Sequence, residues 1–173
     1  MQIFDGMVIL QQMAKIALPT FGDISEYLIK RILKSSSVAY FVTDQYLPGS
    51  VKSFEREQRM SAGSIRIRIE RRDQKRTKQW GKYLQCPKNK TELIRFLLKD
   101  WSDGNRFFTA LSGKTLYLNV GPTFFKLYCQ GDTVSVLFLL LYSFIFTRIV
   151  NSCLTLTSFL EFLPKWAFYY LLR

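Results

Sequence analysis

The stretch Val38–Met60, VAYFVTDQYLPGSVKSFEREQRM, decides the fold. It opens with six residues, Val38 to Thr43, that are β-branched or aromatic apart from Ala39. The run is too short for a buried helix, so it reads as a strand. The strand exits on a carboxylate, Asp44, and Pro48-Gly49 punctuates the chain. A helix with a charged face, SVKSFEREQRM, is expected next. A buried strand has no need of an acid at its exit. Metal-assisted phosphodiester chemistry does, because acids hold the cation and bases hold the phosphates.

Outward from this stretch the elements alternate. MQIF is a short strand leaving on Asp5-Gly6, and MVILQQMAKIAL is a helix stopped by Pro19. Asp23 reads as the N-cap of ISEYLIKRIL, in which Ile24, Leu28 and Ile32 share a face. SIRIRIERR alternates strictly, with Ile65, Ile67 and Ile69 opposite Arg66 and Arg68, as an edge strand would. RRDQKRTKQWGKYLQCP is expected to be a basic loop with a short helix. Asn89 and Glu92 form a capping-box-like start for KTELIRFLLKDW. The sequon pattern at Asn89 reads as chance or as that cap. TLYLNV and TFFKLYC are two further strands. Strands separated by helices point to an α/β fold with a mainly parallel sheet, since parallel neighbours need long crossovers.

Charge narrows the function classes. The 173 residues hold 25 Lys and Arg against 13 Asp and Glu, a net charge of +12. Between Lys52 and Lys99 there are 15 basic and 5 acidic side chains, so one segment carries most of the excess. Such a segment suits a polyanion, nucleic acid or an anionic membrane, although net charge also serves solubility. No small-molecule substrate is implied. With no histidine, Ser-His-Asp and Cys-His sites and His-containing zinc motifs are excluded. Cys86, Cys129 and Cys153 match neither a zinc set nor a disulfide framework, and a reducing compartment is expected, nucleus or cytoplasm. MQIFDG lacks the charged and apolar regions of a signal peptide.

In an open parallel sheet, ligands gather at the carboxyl ends of the strands. Asp5 and Asp44 both belong there, on one edge, where Mg²⁺ or Mn²⁺ would relieve their repulsion and be held weakly. The alternative is that each acid caps the helix after it. Asp73, Asp100, Asp103 and Asp132 are spare acids. Lys52, Arg56 and Arg59, at i, i+4 and i+7, would put three cations on one helix face. Lys52 and Arg59 then lie about 10 Å apart, a phosphate-spacing scale. The bland reading is a solvated face paired with Glu55 and Glu57. Arg71, Arg72, Lys75 and Arg76 extend the phosphate-binding set for DNA or RNA, with Trp80 and Tyr83 as stacking neighbours.

IFDGMVILQQ and YFVTDQYLPGSVKSFEREQRM resemble the first two motifs of the PIN-like, flap-endonuclease (XPG-type) nucleases. Residues 1–128 are similar to the N-terminal part of transposon-like multi-copy animal proteins, through phrases such as PTFGDISEYLIKRI and RRDQKRTKQWGKYLQ. The resemblance implies a three-layer nuclease fold over 1–130. It makes Asp5 and Asp44 metal ligands and sets Lys52 and Arg59 at the scissile phosphate. It also implies a later acidic helix and an Asp-x-Asp strand end. After Gly131 this sequence has only Asp132 and Glu161 as acids, so an incomplete domain without catalysis is expected, an active Mg/Mn-dependent nuclease being the alternative.

Residues 131–173 read instead as an apolar helical tail. From Thr133 to Ser152 twelve residues are Leu, Ile, Phe or Val, each worth about −0.3 to −0.6 kcal/mol on insertion, against one Arg at about +3. Residues 133–152 could therefore span a membrane and anchor the protein there. A pair of helices covering the sheet is the other reading, and an unselected extension the third.

Overall fold

A computed structural model describes residues 1–44, 65–103 and 105–139. The chain divides into two compact units, 1–140 and 141–173, and all described residues belong to the first. Its elements are β1 (Gln2–Asp5), α1 (Gly6–Gln12) with a 3-10 turn (Met13–Lys15), α2 (Phe21–Ile32) and β2 (Val38–Val42). There follow α3 (Trp80–Gln85), α4 (Pro87–Ser102), α5 (Phe108–Leu111), β3 (Thr115–Val120), β4 (Thr123–Gln130) and β5 (Thr133–Leu139).

The five strands lie in chain order, β1-β2-β3-β4-β5. β1 pairs parallel with β2 and β2 parallel with β3, across helix-bearing crossovers. β3-β4 and β4-β5 are antiparallel hairpins. The α/β class holds, but the sheet is mixed rather than mainly parallel. Gly121 and Gly131 explain the difference. Both sit at tight hairpin turns with positive φ, 59° and 58°, a conformation open to glycine. Two-residue turns then force antiparallel return.

β5 corrects the start of the expected helical tail, and the rest of that tail, 140–173, lies outside the described residues. TVSVLFL is a strand paired with β4 from Thr133 through Leu139. Its β-branched and aromatic residues suit a pleated surface as well as a bilayer. The span expected at 133–152 thus begins in a sheet, and among the described residues no helix is long and apolar enough to cross a membrane.

One face of the sheet, with Ala39, Phe41, Leu116, Leu118 and Leu127, joins the described helices in a single hydrophobic cluster. α2 contributes Ile24, Leu28 and Ile32, which share a face as their spacing predicts, and α4 contributes Leu93, Leu97 and Trp101. The opposite face carries a row in register across the sheet: Ile3, Tyr40, Tyr117, Lys126 and Leu137. Tyr40 and Tyr117 stack there at 4.6 Å with their rings 8° apart.

Three sequence expectations move. α2 is capped by Thr20, not Asp23; Asp23 is the reciprocal member of a capping box, its carboxylate taking the Thr20 amide at 2.9 Å. Residues 65–70 alternate in burial as written but form no strand. They are held by a side chain. Asn89, buried inside the first turn of α4, donates to the Ile65 carbonyl (2.6 Å) and accepts from the Ile67 amide (3.2 Å). It also donates to the Tyr83 carbonyl (3.0 Å). Asn89 is therefore neither a cap nor an exposed glycosylation acceptor; α4 starts at Pro87, whose lack of an N–H costs nothing in the first turn.

Asn89→Leu should strand two polar groups, the Ile65 carbonyl and the Ile67 amide, since the Tyr83 carbonyl keeps the Cys86 amide. Each costs about 1–3 kcal/mol when buried and unpaired. A lower urea midpoint is expected at unchanged m-value; an unshifted midpoint would show that the segment 65–70 is held by other means.

Candidate nucleic-acid interface

β1 and β2 pair in parallel with Asp5 opposite Val42, so Asp5 and Asp44 leave the sheet on the same edge. Both are exposed. Asp5 is also the N-cap of α1: its Oδ1 accepts from the amides of Met7 (2.9 Å) and Val8 (3.1 Å). The two readings of Asp5 are compatible, because Oδ2 makes no hydrogen bond among the described residues. Gly6 keeps the edge tight. A Cβ there would lie 2.9 Å from both the buried Phe41 ring and the Thr43 methyl, so only glycine lets α1 start against β2.

The exit of β2 is clamped by Asn119, a buried residue of β3 that the sequence reading did not single out. Its Oδ1 accepts from the Thr43 amide (2.7 Å), and its Nδ2 donates to the carbonyls of Thr43 (3.0 Å) and Gly121 (3.2 Å). The side-chain amide continues the ladder one step past the last β2-β3 backbone pair, Phe41–Leu118. It fixes the direction in which the chain reaches Asp44. An Asn at the end of an apolar alternation, TLYLNV, was the available signal.

The basic segment is a strap over the N-terminus of α2. The Phe21 and Gly22 amides donate to the carbonyls of Gln74 (3.1 Å) and Arg72 (2.8 Å), which satisfy helix donors that have no intrahelical partner. Arg76 N–H returns a bond to the Pro19 carbonyl at 2.8 Å. This geometry sorts the cations. Arg72 binds Glu26 (2.8 Å) and the buried carboxylate of Asp100, which also takes Ser25 Oγ (2.5 Å) and Arg106 (3.2 Å). Arg76 donates to the carbonyls of Met13 (2.8 Å) and Ile16 (3.2 Å) and lies over Trp80 at 5.0 Å; burial lowers its pKa. Arg71 and Lys75 are exposed, Arg71 beside Asp73 at 3.4 Å. Two of the four cations thus face solvent and two hold the fold together. Arg76 sits past the C-terminal end of α1, about 12 Å or more from the Asp5 end by helical rise. Lys52, Arg56 and Arg59 lie outside the described residues.

Trp80 and Tyr83 do not serve as stacking platforms. Both are core residues, their rings stacked on each other at 4.9 Å. The Trp80 indole N–H donates to the Leu10 carbonyl (2.8 Å), and the Tyr83 hydroxyl donates to the Asn89 carbonyl (3.2 Å). Their positions in α3, three apart, mark one helix face, and that face is the inner one. Of the spare acids, Asp73 and Asp100 are engaged in ion pairs, and Asp103 and Asp132 are exposed. Among the described residues no group of three or more Asp, Glu, Cys or His is placed to hold a metal. No family model matches the chain, and neither a curated protein nor a solved structure matches it.

Burial, with Glu92 and Cys86 nearby, raises the pKa of the Tyr83 phenol well above its ordinary value of 10. Its folded-state pKa exceeds the unfolded one, so its contribution is whole below pH about 10 and declines at higher pH, as the unfolded phenol ionises. Tyr83→Phe should flatten the fall in urea stability between about pH 10 and 12. Equal slopes for the two proteins would mean that Tyr83 is open to base in the folded state.

Proposed function

We propose that the protein binds nucleic-acid phosphates as an incomplete nuclease-like domain and does not cut them. The observation that carries this reading is the shared edge of β1 and β2. There two exposed carboxylates, Asp5 and Asp44, sit where open α/β sheets take ligands, and Asp44 leads in sequence into Lys52, Arg56 and Arg59. The net charge of +12 and the exposed Arg71 and Lys75 support the same reading. Phosphate contacts of this kind position a strand without reading its bases, so DNA and RNA are both ligands and sequence preference is slight.

The donor set fits a weakly held Mg²⁺ or Mn²⁺. Asp5 Oδ2 and the Asp44 carboxylate would supply two oxygens, and water the rest, which is how Mg²⁺ is commonly held near phosphates. Such a cation would neutralise phosphate charge at the edge. A catalytic pair of metals spreads several carboxylates around the two ions, and the sequence after Gly131 adds only Asp132 and Glu161. That shortage supports binding without cleavage.

Fluorescence anisotropy on short labelled DNA and RNA tests the reading. Affinity should fall linearly in log–log form as salt rises. The pair Lys52→Glu and Arg59→Glu should flatten the duplex slope by roughly two units, near 0.9 per phosphate contact. A flat salt dependence in the unaltered protein removes the proposal. Mg²⁺-dependent cutting that vanishes in Asp44→Ala would replace it with an active nuclease.

A metal at the edge has its own readout. Mn²⁺ should broaden the amide resonances of Gly6 and Asp44, and Asp44→Asn should abolish the effect. Broadening that persists in Asp44→Asn places the ion elsewhere.

A further inference from the structure

Between α4 and the antiparallel end of the sheet lies a cleft of about 520 Å³, lined on one side by α4 and on the other by β3, β4 and β5. That volume falls in the range of small-ligand pockets, about 300–1,000 Å³. Its floor is apolar: Leu98 from α4, Val120 from β3, Phe125 from β4 and Val136 from β5. Val136 pairs with the buried Leu127, so it lies on the face that the helices cover, yet it is 41% exposed. Among the described residues α4 and α5 reach β5 only in part, and the cleft lies beside that contact.

Among the described residues the charges on the rim have a single sign. Arg95 and Lys99 stand one turn apart on α4, both on the same side of the stripe that carries Leu98. Both are exposed, and neither makes an ion pair with a described residue, unlike Arg72 and Arg106. No described acid lines the cleft. Two exposed cations above a half-open apolar floor complement a ligand with one anionic end and an apolar body.

We propose that this cleft binds an amphipathic anion, a linear aliphatic carboxylate of medium chain length. Its tail lies on Leu98, Val120, Phe125 and Val136, and its head lies between Arg95 and Lys99. The carboxylate can be free or the exposed end of a membrane lipid; the chemistry is shared and the proposal is for the free acid. It is independent of the nucleic-acid reading, which uses neither Arg95 nor Lys99.

Isothermal titration of the full chain with decanoate, acetate and decyltrimethylammonium tests it. Decanoate should bind with a roughly micromolar constant, and the other two at least about tenfold more weakly. Arg95→Gln with Lys99→Gln should weaken decanoate by about tenfold or more at an unchanged urea midpoint. Val136→Asp, at a half-open position, should do the same through the floor. Equal binding of acetate reduces the site to bare charge and overturns the proposal. So do equal binding of the cationic amphipath, unaltered affinity in the double variant, or sedimentation with phosphatidylserine vesicles in the absence of any decanoate binding.

Discussion

A carboxylate taken out of water must find cations and hydrogen bonds, or it destabilises whatever buried it. Asp100 is that carboxylate. Its side chain is 4% exposed, and it meets Arg72 and Arg106 while accepting from Ser25 Oγ. Those partners come from α2, from the strap and from the chain after α4, so one buried charge fixes where four segments meet. The indole of Trp101, the next residue, donates to the Ser25 carbonyl at 3.3 Å and packs edge-on to Phe41 of β2. The polar junction and the hydrophobic core are thereby in register. The same demand removes Arg72 from the pool of cations that a phosphate can recruit.

Two buried asparagines do comparable work for the backbone. An amide side chain has the donor and acceptor of a peptide group, so it can stand in for a strand where no strand is present. Asn89 does this for residues 65–67, and Asn119 does it for Thr43 and Gly121. Both solutions avoid unpaired backbone groups inside the unit. They also set direction: Asn119 aims the chain as it leaves β2 toward Asp44, and Asn89 carries the chain from 65 onward under α4 and into the strap. The candidate edge owes its geometry to the first of these.

Charge on this molecule therefore has two uses that composition merges. Arg72 and Arg76 spend their donors on Asp100, Glu26 and helix-end carbonyls, while Arg71, Lys75, Arg95 and Lys99 point to water. Long-range attraction of a polyanion depends on the whole net charge, whereas contact with it needs the exposed groups. A sheet that is parallel on one side and antiparallel on the other separates the two candidate sites. The carboxyl edge of β1 and β2 follows from the crossovers, and the cleft at β5 follows from the hairpins.

Local chemistry was enough to read the pieces. Alternation and β-branching gave β1 to β4, spacing gave the buried faces of α2 and α4, and the parallel pairing of MQIF with VAYFVT put Asp5 and Asp44 on one edge, because a helical crossover joins neighbouring strands. The remainder depended on partners distant in sequence. TVSVLFL has the composition of a membrane helix and of a strand, and only pairing with β4 chooses between them. SIRIRIERR has the pattern of a strand, but Asn89 takes the place of a neighbour. Trp80, Tyr83, Arg72 and Arg76 belong to a segment that looks solvent-facing, and their burial or pairing is decided by α1, α2 and Asp100. Periodicity says which side chains share a face; what that face meets is a long-range contact, and the folded chain alone supplies it.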